Sequence, residues 1–135
     1  MKQLDIARSL IDVPWRHQGR DSALGIDCAG LLELAYEVAP DNFTVAYGRH
    51  PHGDLITKRM EFNFGPAIGD EPRVGDAVTL GFGFNGVVRH VGIIGNYIHG
   101  GLSIIHTDSV VGRVVEHPFD EKWRRRVRGV YRRQA

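Results

Sequence analysis

Cys28 is the only cysteine in the chain, and it stands in Gly-Ile-Asp-Cys-Ala-Gly-Leu-Leu, where a loop gives way to a helical apolar pattern. Asp27 fits an N-cap, Leu31, Ala35 and Val38 follow at helical spacing, and Pro40 supplies a stop. The spacing therefore predicts Cys28 in the first turn of a helix. The unpaired N–H groups and positive dipole end of such a turn favour a thiolate, the nucleophilic form of cysteine. An internal disulfide is excluded. A lone cysteine also fits a small buried hydrophobe, so a reactive reading needs a base.

Two histidines downstream offer one. Residues 87–96 read VVRHVGIIGN and residues 102–108 read LSIIHTD, two β-rich runs around a Gly-Gly-containing stretch, which predicts an antiparallel hairpin. Period-2 alternation puts Val88, His90, Gly92 and Ile94 on one face of the first strand, and Ile104, His106 and Asp108 on one face of the second. With even positions paired to even ones, His90 and His106 share a face, side by side or diagonally. Gly92 beside His90 would leave room for an imidazole or a substrate. Nucleophile, base and orienting group are then all present: His90 would deprotonate Cys28, and His106 would hold the far nitrogen of His90.

The runs Val-Pro-Trp-Arg-His-Gln-Gly-Arg, Ile-Asp-Cys-Ala-Gly-Leu, Val-Gly-Asp-Ala-Val, Arg-His-Val-Gly-Ile-Ile-Gly and Ile-Ile-His, in that order and spacing, resemble the NlpC-type cell-wall cysteine peptidases. Within that family the likeness is greatest to the small phage-tail-associated members, and it extends from about Ala7 to Tyr131. The resemblance implies a papain-like fold and cleavage of peptide bonds in bacterial peptidoglycan stems, of the D-glutamyl-diaminopimelate type. It makes Cys28 the nucleophile, His90 the base and His106 the polar third member. Two positions depart from the pattern: Ala29 replaces a common serine, and Trp15 replaces a common tyrosine whose hydroxyl helps line the oxyanion site. Trp15 can offer only an indole N–H or a wall for substrate. The Cys28 backbone N–H is the expected first oxyanion donor. Trp15, Arg16, His17 and Asp27 are the expected substrate-binding residues, with Arg16, Arg20 and Arg49 as cations for a substrate carboxylate.

A chain of 135 residues with 42% hydrophobic content fits one domain spanning residues 1–135 with a single core. Leu4, Ala7, Leu10 and Ile11 predict a short amphipathic helix, not the apolar core of a signal peptide, and no apolar run is long enough to span a membrane. The expectation is cytoplasmic synthesis, with release at lysis or carriage on a phage tail, where tail proteins would be partners. Seventeen basic and sixteen acidic residues argue against a general polyanion binder. The basic run from Arg113 to Arg133 fits a solvated face, or an edge that meets acidic wall polymer or a partner subunit, without a nucleic-acid motif.

His50 and His52 lie in a Gly- and Pro-rich stretch and lack the further ligands of a metal site, so a loop is expected there. Residues 74–80 predict the first sheet strand, residues 81–86 a hairpin tip, and Trp123 and Tyr131 core positions of a last strand. The fold class is α+β, with two or three helices packed on an antiparallel sheet of about five or six strands. The function expected is a cysteine peptidase needing no cofactor and no metal. The alternative is a tail assembly or tip protein that keeps the fold with little hydrolase activity.

Overall fold

The computed structural model describes residues 1–38, 53–82 and 87–133. Pro40, Arg49, His50, His52 and residues 83–86 of the expected tip lie outside the described residues, and the first two residues of that tip, Gly81 and Phe82, belong to a strand because they pair with Val88 and Val87. Four helices are present among them, α1 (Lys2–Ser9), α2 (Cys28–Tyr36), α3 (Gly53–Phe64) and α4 (Glu121–Arg124). The strands are β1 (Arg20–Asp21), β2 (Gly25–Ile26), β3 (Ala77–Phe82), β4 (Val87–Asn96), β5 (Leu102–His106), β6 (Val115–Pro118) and β7 (Val127–Tyr131). β1 and β2 form a small hairpin, and the other five make an antiparallel sheet in the order β6-β5-β4-β3-β7. The class is α+β, with one or two helices more than the sequence suggested. The addition is α3 and α4: the first falls in a stretch read as loop, and the second is one turn long.

α2 is the central helix. The Asp27 carboxylate caps it by accepting the Gly30 N–H at 2.8 Å, and six of its nine residues are buried, so it is held by packing on most of its circumference and not by a single stripe. It ends at Glu37, which adopts a left-handed conformation (φ 55°, ψ 40°). α1 packs beside it through Leu4, Ala7 and Leu10. Together they cover one face of the sheet, where Val91, Ile93, Ile105, Ala77 and Tyr131 meet the helical core. The other face carries Val78, Leu80, Ile94, Ile104 and Val130 under Phe119, with Trp123 packed against them.

The strand pairing fixes which residues share a face. β4 and β5 pair Ile94 with Ile104 and Ile93 with Ile105, the even-to-even register the alternation predicts. One part of that expectation fails. The β3–β4 register shifts between Leu80 and Gly81, which pair with His90 and Val88, so Arg89 is the extra residue of a bulge. The alternation slips there, and Val88 packs against the helical core instead of sharing the face of Ile94. Gly92 also differs from expectation: a Cβ there would lie 2.8 Å from Ile104 Cδ1, so its space belongs to a neighbouring side chain. Trp123 falls in α4, not in the last strand, because Asp120 caps a helical turn at that point through the Trp123 N–H.

Backbone contact between the loop before β1 and the start of α2 is close. A Cβ on Gly30 would stand 2.3 Å from the Gly19 carbonyl oxygen. Alanine at a helix position gains about 1 kcal/mol of propensity over glycine, whereas a clash with backbone that cannot rotate away costs about 1–3 kcal/mol or more. The clash wins. Gly30→Ala should therefore lower the urea midpoint, while Gly69→Ala, with nothing within 4 Å of the added methyl, should leave it within about 0.5 kcal/mol of the parent.

Candidate functional site

Cys28 opens α2 and is half-buried. Its neighbour Asp27 is buried, and the carboxylate accepts from the Gly30 N–H, the Gln18 N–H at 3.0 Å and Arg20 Nη1 at 2.8 Å. Arg20 also meets the buried Glu33 through its Nε, so one guanidinium spans two buried carboxylates and ties the 16–20 loop to α2. The helix start alone does not deliver a thiolate. Burial first, and then the charge of Asp27, push the Cys28 thiol up to about 12, against the pull of the Val91 and Ala29 backbone N–H groups and of Arg20. The resting sulfur is a neutral thiol held at the backbone of Val91, the residue after His90.

His90 and His106 are both buried, with exposures of 4% and 1%. His90 Nε2 and His106 Nδ1 are 2.9 Å apart, the rings near perpendicular at 86°. They are diagonal neighbours on the even face of β4 and β5, as the alternation predicts. A third imidazole continues the series: His106 Nε2 lies 2.8 Å from His117 Nε2, and His117 Nδ1 lies 2.9 Å from the Pro118 carbonyl oxygen. Sequence reasoning missed His117. It sits in a four-residue strand paired directly with Ile104, and such a short run gives no alternation to read. A histidine three residues before the Asp120 cap was the only available signal.

Burial pushes the proton affinity of both buried rings down from the ordinary histidine range, with Asp108 opposing this at His90. At His106 the charge of Arg126, and that of either neighbouring ring were it protonated, adds to the effect of burial. Trp123 covers the outer part of the series, its ring centroid 4.8 Å from those of His106 and His117, and the Arg126 guanidinium lies 4.7 Å from the Trp123 ring.

His90, His106 and Asp108 form the one trio among the described residues whose ligand atoms all lie within 4.8 Å of one another. The facing nitrogens of the two histidines bond each other, and Asp108 Oδ1 accepts the Val110 and Val111 N–H groups. Those bonds suit proton transfer better than ligation.

Trp15 is half-buried, its backbone N–H donated to the Gly112 carbonyl at 3.0 Å and its ring 6.4 Å from that of His17. Arg16 and His17 are exposed in the same loop. Asp27, expected at the substrate, has its carboxylate committed to three donors of its own chain, and the Arg20 guanidinium meets Asp27, Glu33 and the Gly19 carbonyl. The C-terminal arginines also find partners within the chain. Arg124 lies over Phe119, Arg125 pairs with Glu121, and Arg128 donates to the Arg125 carbonyl. Arg132 grips both oxygens of Asp76, and Arg133 meets the Tyr36 carbonyl.

No family model matches the chain, and no curated protein matches it. Solved structures do. An NLP/P60-family protein of Staphylococcus aureus subsp. aureus Mu50, described as similar to lipoprotein, matches 97% of this chain at 18% identity with a TM-score of 0.60. An NlpC/P60-family protein of Bacillus cereus ATCC 10987 matches 97% at 19% identity with a TM-score of 0.66. The NlpC/p60 domain of the peptidoglycan hydrolase SagA matches 97% at 20% identity with a TM-score of 0.61. The chain spans 40% and 39% of the first two proteins and 96% of the third. What it shares with them is the NlpC/P60 fold.

Two histidines buried neutral make the fold acid-sensitive. Their folded proton affinities lie below the unfolded value of about 6.5, so as pH falls the unfolded chain takes protons first. Their contribution is present above about pH 6.5 and is lost below it, at up to about 1.4 kcal/mol per pH unit for each ring. Urea midpoints taken from about pH 7 down to about pH 5 should fall more steeply for the wild type than for His106→Gln, which has one such ring fewer. Parallel slopes would contradict the buried neutral state of His106.

Proposed function

We propose that the chain is a cysteine peptidase that hydrolyses peptide bonds in bacterial peptidoglycan stem peptides, with Cys28 as nucleophile, His90 as base and His106 as orienting group. The observation that carries this reading is the buried 2.9 Å bond between His90 Nε2 and His106 Nδ1, on a strand whose next residue, Val91, meets the Cys28 thiol. Because Nε2 of His90 is taken up by His106, Nδ1 is the nitrogen that serves sulfur. The likeness of fold to a peptidoglycan hydrolase domain supports the substrate class.

The chemistry is acyl transfer to water. The Cys28 proton passes to His90 Nδ1, and the sulfur attacks the peptide carbonyl carbon. The imidazolium, still donating from Nε2 to His106, gives its proton to the leaving amine as the C–N bond breaks. Water then cleaves the thioester, with His90 taking a proton from it and returning one to sulfur. The neutral resting pair makes the base essential: a thiol held near 12 has almost no thiolate of its own at neutral pH. The Cys28 backbone N–H, in the first turn of α2, is the oxyanion donor of this scheme. Trp15 forms a wall of the substrate groove, and exposed Arg16 meets a stem carboxylate. Asp27 acts through its cap of α2 and its hold on Arg20. The D-glutamyl-diaminopimelate bond, and delivery by a phage tail or at lysis, are the finer parts of the proposal and come from the sequence resemblance.

Purified protein incubated with muropeptides, with products read by mass spectrometry, tests the reading. Cys28→Ala should lower turnover by at least about 10⁴-fold with an unchanged circular dichroism spectrum. His90→Ala should cost about 10²–10⁴-fold. Muropeptide cleavage that survives Cys28→Ala would end it.

A further inference from the structure

The outer end of the histidine series decides how its protons are ordered. His117 Nδ1 lies 2.9 Å from the Pro118 carbonyl oxygen, and a carbonyl oxygen only accepts, so Nδ1 of His117 carries the hydrogen. A neutral His117 then has its lone pair on Nε2, 2.8 Å from His106 Nε2. That contact needs one hydrogen, and His106 supplies it. Neutral His106 therefore has its lone pair on Nδ1, and the 2.9 Å contact with His90 Nε2 obliges His90 to donate. A neutral His90 is left with its lone pair on Nδ1. This is the tautomer that can take a proton from a thiol.

We propose that His117 is a positioning residue, which through the Pro118 carbonyl and His106 fixes His90 in the tautomer with a basic Nδ1. The proposal deepens the peptidase reading and rests on it for the use made of that nitrogen. The reverse order shows what is at stake. A second proton on His117 would make its Nε2 a donor, force His106 to donate from Nδ1, and leave the hydrogen of His90 on Nδ1, where the ring cannot act as a base toward sulfur.

The surroundings favour the productive order. β6 holds His117 opposite Ile104, and the Trp123 ring fixes it beside His106. The charged groups around the series are Asp108, whose field favours positive charge on His90, and Arg126, which disfavours it on His106. A positive charge arriving in the series is thus drawn to the His90 end and kept off the middle ring, so the order survives proton transfer from sulfur.

Histidine tautomers are read directly by long-range ¹H–¹⁵N correlation on labelled protein near neutral pH. The expected pattern is Nε2–H on His90 and His106 and Nδ1–H on His117. His117→Phe keeps a ring against Trp123 and removes the acceptor, so His90 should become a mixture of tautomers. Alkylation of Cys28 near neutral pH should then slow by at least about tenfold, within the 10²–10⁴-fold worth of a positioned base. His117→Gln, whose side-chain carbonyl can accept from His106 Nε2–H, should restore both. An Nδ1–H tautomer of His90 in the wild type overturns the proposal. So does an unchanged His90 tautomer and alkylation rate in His117→Phe, or, should that variant not fold, a mixed His90 in His117→Gln. A correct tautomer pattern in a protein that leaves muropeptides intact would instead count against the peptidase reading alone.

Discussion

Two imidazoles buried against each other cannot both donate and cannot both accept, so the bond between His90 and His106 holds only when each ring is in a defined tautomer. Burial supplies the first condition by keeping both rings neutral. β4 and β5 supply the second, because their pairing puts the two rings diagonally on one face. Much of the surrounding structure can be understood as serving that contact. Trp123 covers it, the Asp120 cap places Trp123, and β6 brings the next acceptor to its outer end.

The cysteine side is built on a different balance. α2 begins where Asp27 can cap it, but a carboxylate next to a thiol opposes ionisation, and burial adds to that. Arg20 offsets part of the cost by spanning Asp27 and Glu33, and removing one member of such a buried set costs about 3–5 kcal/mol. The helix start therefore fixes where the sulfur is, and in the proposed mechanism His90 governs when it ionises.

What the sequence disclosed follows the range of the forces involved. The cap at Asp27, the helix of Leu4 and Ala7, and the even-to-even hairpin are local or period-2 features, and all were legible. The bulge at Arg89 was not, because it arises from a register shift between β3 and β4 that neither strand's own pattern encodes, and it moved Val88 to the other face. Trp123 was misplaced because one capped helical turn is shorter than the window over which periodicity is read. The space at Gly92 belongs to Ile104 across the sheet, and a linear reading sees only that glycine is small. The expected thiolate failed for a similar reason: a dipole is visible in a sequence, whereas burial is not. His117 needed the three-dimensional register of β6 before its nitrogen could be connected to anything.

The central claim is that a neutral, buried thiol at Cys28 is made nucleophilic by His90. Its most direct test is the rate of Cys28 alkylation by iodoacetamide across pH, followed by intact mass in the wild type and in His90→Ala. The wild type should be labelled near neutral pH, and the variant only well above the free-thiol value of about 8.5, because burial and Asp27 hold its thiol up. Superimposable pH profiles for the two proteins would contradict the account.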